Sequence, residues 1–133
     1  MFGERVGFVN MKVLTSKDGF NLPSFVFLRG PSVAVLLLVN NKILVVEQYR
    51  VPVQETLLEA PAGMLDESGD FVGTAAKEIE EETSIKLSKE MLTPLGSFYP
   101  SAGGCDEEIM MFYSKVELSE EEMATIESKI HGE

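Results

Sequence analysis

GMLDESGDFVGTAAKEIEEETSI, residues Gly63 to Ile85, decides how the rest of the chain is read, because its second half crowds Glu78, Glu80, Glu81 and Glu82 into five positions. Asp70 is a good N-cap, and the pattern predicts a helix from there to about Thr83, with Gly73 as a weak spot inside it. At 3.6 residues per turn Glu78, Glu81 and Glu82 share one face, while Ala75, Ala76 and Ile79 turn toward a core. Like charges one turn apart cost about 0.2–0.5 kcal/mol per pair in an isolated helix, so the cluster is either a solvated acidic face or matched to a cation. A hard divalent ion suits it, since Mg²⁺ takes oxygen ligands and keeps several waters beside a substrate phosphate.

Lys77-Glu78-Ile79-Glu80-Glu81-Glu82-Thr83-Ser84-Ile85 resembles the Arg-Glu-U-x-Glu-Glu-x-Gly-U half of the Nudix box, U being a bulky aliphatic residue. Leu58-Glu59-Ala60-Pro61-Ala62-Gly63 precedes it as in Nudix hydrolases that split ADP-ribose and nucleotide sugars, and residues 33–118 follow that family in order. Three positions depart from the pattern. The first glutamate of the box falls at Gly69, its arginine is Lys77, and its late glycine is Ser84. Lysine loses the planar fork of arginine. Gly69 removes a carboxylate that Asp66, Glu67 or Asp70 would replace only in a rearranged loop, and Ser84 must take the helix-ending turn without glycine's freedom.

Composition narrows the chemistry. The 133 residues suit one domain, and 44% hydrophobic with 25% charged residues is ordinary globular content. Twenty-two acidic against eleven basic residues give a net charge of −11, which repels phosphate backbones and argues against a nucleic-acid partner. One cysteine, Cys105, excludes an internal disulfide and a thiolate zinc site and fits a reducing, cytoplasmic compartment. One histidine, His131, makes a histidine metal cluster or a Ser-His-Asp triad hard to build. No secretory signal is visible, and the longest apolar run, Val33 to Val39, is far short of a membrane span.

In chain order, Gly7–Thr15 and Phe20–Leu28 read as a hairpin, with Pro23 on an edge or at a bulge. The hairpin (1–28) either covers its own domain or, as the resemblance implies for ADP-ribose enzymes, joins a homodimer interface. Val33–Val39 and Ile43–Arg50 read as two buried strands around an Asn40-Asn41 turn, and Leu57–Ala62 as a short strand leading to Gly63. Thr93–Phe98 and Ile109–Val116 are further strands, and Ser119 caps a final helix. The polar loop between those strands holds Pro100, fifteen residues past the box, then a glycine pair and acids, which resembles ADP-sugar hydrolases.

The resemblance implies an α/β/α Nudix sandwich with a mixed sheet over residues 29–133. It implies a metal-dependent diphosphatase that converts a nucleotide diphosphate-sugar to nucleoside monophosphate and sugar phosphate. Glu78 and Glu82 would hold Mg²⁺ or Mn²⁺, Glu81 would ligate or orient a metal-bound water, and Ala62 would lend its carbonyl. Arg50, at the end of Gln48-Tyr49-Arg50, lies near the substrate in the family, unless it is spent on a salt bridge to Glu47 or Glu59. Glu59, Glu107 and Glu108 are the other substrate candidates, with solvated charge as the plain alternative for the last two. In the family a segment like His131-Gly132-Glu133 leads into another strand, a helix and a catalytic glutamate, so the chain reads as truncated and Glu133 is the candidate general base. The rival reading is a Nudix-fold module that binds nucleotide-sugar or metal without turnover, and an acidic interaction domain comes third.

Overall fold

The structure, a computed structural model, describes residues 6–22 and 25–130. In chain order its elements are strands β1 (Val9–Lys12), β2 (Ser16–Lys17), β3 (Phe20–Asn21), β4 (Phe25–Leu28), β5 (Ser32–Val39), β6 (Lys42–Ile43), β7 (Val46–Arg50), β8 (Glu55–Glu59) and β9 (Ala62–Met64). Helix α1 (Phe71–Thr83), a 3-10 turn (Lys89–Met91), strands β10 (Thr93–Phe98) and β11 (Ile109–Val116), and helix α2 (Glu120–Ile130) complete it. Pro23, His131 and Glu133, each given a role from the sequence, lie outside the described residues.

β5 is the centre because its run of aliphatic side chains has nowhere to go but inward. Val33, Ala34, Val35, Leu37 and Val39 are buried, and each valine or leucine contributes about 1.5–3 kcal/mol when fully removed from water. One edge of β5 pairs with β11 in parallel, in a register running from Ser32–Ile109 to Val39–Val116. β10 adds antiparallel to β11, and the result is the expected mixed sheet, ordered β10-β11-β5-β6 with β9 also on β5. α1 buries Ala75 and Ile79 in the cluster formed by Val33, Val35, Leu37 and Phe112, and Ile126 of α2 belongs to that same cluster.

The second edge of β5 explains where sequence reading went wrong. The 43–50 segment was expected as one buried strand beside β5, and it is neither continuous nor buried. β6 pairs with Leu38 and Val39, and Leu44 still donates its N–H to the Leu37 carbonyl at 2.9 Å. Further along the edge is taken: β9 pairs with Ser32, Val33 and Ala34, and Val35 donates to the Pro61 carbonyl at 2.9 Å. The chain therefore breaks at Leu44–Val45, and β7 forms a separate antiparallel ribbon with β8. The expected 57–62 strand is likewise split at Ala60–Pro61 between β8 and β9. The N-terminal hairpin is present as β1 paired with β4, its tip closed by β2 and β3.

Candidate active site

α1 forms where its sequence directs. Asp70 accepts from the Gly73 N–H at 2.9 Å and is also paired with Lys89, so it is committed to the helix start. A Cβ at Gly73 would collide with that Asp70 carboxylate, so the weak spot is the space the cap requires. Ser84 ends the helix at φ 63°, donating its N–H to the Glu80 carbonyl at 2.9 Å, so a serine does adopt the left-handed turn expected at this position.

The helix presents Glu78 and Glu82, both half-buried, to the strand that precedes it. A Cβ on Gly63 would fall on the Glu78 carboxylate, so this glycine is what lets β9 lie against the acid. Burial first, and the neighbouring Glu81 second, push the Glu78 carboxyl above the ordinary glutamate range. Burial and Glu78 do the same to Glu82, while the Ala62 N–H donates to it and pulls back. The structure thus gives Ala62 a contact through its N–H, where the sequence pointed to its carbonyl. One oxygen of Glu82, Oε2, is buried without a partner. Glu81 is exposed and paired at 3.8 Å with Lys77.

Gly69 stands at φ +69°, in a turn that favours glycine over the glutamate of the box pattern. Of the three acids near it, Asp70 is taken by the cap. Asp66 lies close enough to Glu78 to raise its pKa, although Asp66 itself is held down by hydrogen bonds from Ser68.

Arg50 and Glu59 come together across the β7–β8 ribbon. Nε donates to Oε1 at 2.7 Å and Nη2 to Oε2 at 2.6 Å, a fork that raises the arginine and lowers the glutamate pKa. The salt bridge weighed from sequence is therefore present, with Glu59 as its partner. Arg50 also feels the charges of Glu82 on the helix and Glu107 in the 99–108 loop, more weakly than that of Glu59. Glu107, only 14% exposed in its side chain, pairs with Arg29 at 3.2 Å and accepts from Ser32 Oγ at 3.2 Å. Glu108 instead accepts from Ser97 Oγ at 2.6 Å and Tyr99 Oη at 3.4 Å, on the side of β10. Arg29, Ser32 and Asp106 were not singled out from sequence, since their partners lie about 75 positions away and no local pattern marks them.

Among the described residues no three acidic, histidine or cysteine side chains stand close enough to cage a metal ion. Two half-buried carboxylates still fit Mg²⁺ or Mn²⁺, because magnesium commonly takes one or two carboxylates and completes its shell with water and substrate phosphate. Glu82 Oε2, buried with no hydrogen-bond partner, is an oxygen left available to such an ion.

A mixed sheet, a glycine-backed acidic helix and an arginine beside it define the loop-helix-loop architecture of a Nudix domain. The sequence profile of the NUDIX domain matches residues 28–132, and the chain belongs to that family. It is 42% identical to Nudix hydrolase 14, chloroplastic, of Arabidopsis thaliana, over 99% of this chain and 48% of that protein. It is 37% identical to an ADP-ribose pyrophosphatase of Bacillus subtilis over 74% of this chain and 49% of the relative. It is 43% identical to a methanol dehydrogenase activator of Bacillus methanolicus over 63% of this chain and 45% of that protein. The chain thus spans about half the length of the relatives it matches. No described helix is long and apolar enough to cross a membrane.

Proposed function

We propose that the chain is a diphosphatase domain that hydrolyses a nucleotide diphosphate-sugar, ADP-ribose or an ADP-sugar, to nucleoside monophosphate and sugar phosphate. The observation that carries this reading is the pair of half-buried, pKa-raised carboxylates, Glu78 and Glu82, held against Gly63 and Ala62 with one oxygen unsatisfied. Glu78 and Glu82 would hold Mg²⁺ or Mn²⁺. When bound, that ion offsets the diphosphate charge and makes an attacking water more acidic. Glu81, exposed and only loosely paired with Lys77, orients that water from the solvent side. Arg50 meets a phosphate or ribose oxygen, with Glu59 fixing its fork and Glu107 completing the far wall. Water replaces the bridging oxygen at one phosphorus and the released phosphate takes up the charge. The proton goes to a general base, for which Glu133 is proposed because Glu107 and Glu108 are already engaged.

The exposed apolar hairpin, with Phe8, Phe20 and Phe25 each more than half exposed, supports a homodimer, and the lone cysteine supports a cytoplasmic setting. The test is incubation with a panel of ADP- and UDP-sugars, with Mg²⁺ or with chelator, and detection of nucleoside monophosphate. Metal-dependent product from the ADP compounds supports the proposal. Saturable binding without product instead supports a nucleotide-sugar-binding module, the reading favoured by glycine at position 69.

A further inference from the structure

Two segments far apart in sequence, 27–32 and 104–108, are stitched together along their whole length. Phe27 donates to the Gly104 carbonyl at 2.7 Å and accepts from the Asp106 N–H at 3.2 Å, and Ser32 donates to the Glu108 carbonyl at 2.9 Å. Between these, Asp106 Oδ1 accepts two successive backbone N–H groups, Arg29 at 2.6 Å and Gly30 at 3.1 Å. Gly30 stands at φ +85°, and successive N–H groups turned to one side form a concavity that holds an anion. The anion here is the protein's own carboxylate, and the two N–H groups keep its pKa below the usual aspartate range.

Asp106 and Glu107 capture opposite parts of one residue, the first the Arg29 backbone and the second its guanidinium. We infer that Asp106 is a positioning residue: by clasping the Arg29–Gly30 backbone it sets the Arg29 guanidinium, and so fixes the Glu107 carboxylate. The clasp also links the N-terminal hairpin, through β4, to the loop that bears Glu107. Without it, Glu107 keeps Ser32 Oγ but loses the fixed guanidinium that orients it.

The experiment compares wild type, Asp106→Ala and Asp106→Asn, the last of which retains an acceptor oxygen. The chain has three arginines, so their Nε–H signals are readily resolved by ¹⁵N NMR, and this readout needs no substrate. In Asp106→Ala the Arg29 and Gly30 amides and the Arg29 Nε–H should exchange about tenfold faster or more, with Asp106→Asn restoring most of the protection. The kinetic arm rests on the proposed hydrolysis: with ADP-ribose and Mg²⁺, Asp106→Ala should raise KM about tenfold with kcat within about twofold, and Asp106→Asn should recover it. An unchanged Arg29 Nε–H signal in Asp106→Ala overturns the inference, as does a fall in kcat at constant KM. Absence of turnover in the wild type counts against the proposed function alone, and the NMR comparison then decides the role of Asp106.

Discussion

Gly63 lies directly beneath the carboxylate of Glu78, with no room for a methyl group between them. The obstructing atoms are the far end of a flexible side chain, so Gly63→Ala should move the acid and leave the fold standing. We expect unfolding free energy to change by about 1 kcal/mol or less, while affinity for Mn²⁺ falls about tenfold. Urea denaturation and Mn²⁺ titration followed by electron paramagnetic resonance measure the two effects separately. Unaltered Mn²⁺ affinity would show that Glu78 does not ligate.

Glu78→Gln and Glu82→Gln should stabilise the metal-free protein at neutral pH. Both carboxyls titrate above the ordinary glutamate value when folded, so the folded state keeps protons that the unfolded state has released. Stability from each therefore falls as pH rises from the ordinary glutamate value through the raised folded one, and above that the full penalty persists. Each variant should match wild type near pH 4 and exceed it by about 0.5 kcal/mol at pH 7 in chelator, allowing for solvent screening. Each should also lose the Mg²⁺-induced rise in Tm. A variant less stable than wild type at pH 7 in chelator contradicts the assignment.

Arg50→Lys keeps the charge and discards the fork. Glu59, half-buried and bound through both oxygens, would keep one bond, and we expect a loss of about 1 kcal/mol in stability. Affinity for ADP-ribose in the presence of Mg²⁺ should drop about tenfold by calorimetry, since a single ammonium cannot grip two oxygens in a plane. Full affinity in this variant would mean that Arg50 serves Glu59 alone.

Ser84→Gly should raise stability by up to about 1 kcal/mol, the strain of a left-handed serine less the added freedom of glycine in the unfolded chain. Thr83, which accepts the Ile85 N–H at 3.2 Å just beyond the turn, should be undisturbed. The urea midpoint is the measurement, and a lowered midpoint would show that the serine is not strained.

What could be read in the sequence was local. The Asp70 cap, the helix end at Thr83, and the bounds of β10 and β11 follow from signals within a few residues of each boundary. The course of β7 could not be read, because it depends on β9 taking the edge of β5 first, a competition between segments that no window contains. The site divides in the same way. Glu78 and Glu82 share a helix face by period alone, whereas the place of Glu107 depends on Arg29 and Ser32 from the far end of the fold.

The parallel pairing of β5 with β11 has a consequence on the ribosome. Ser32 must wait for Ile109, 77 positions later, before that edge of the most apolar strand is closed. At about 5–20 residues per second, synthesis leaves it open for roughly 4–15 s. During that interval an emerging chain offers an unpaired, aliphatic strand to any other chain nearby. The yield of native protein is then a race between translation and self-association, so slower initiation, which keeps emerging chains apart, raises the yield more than slower elongation does.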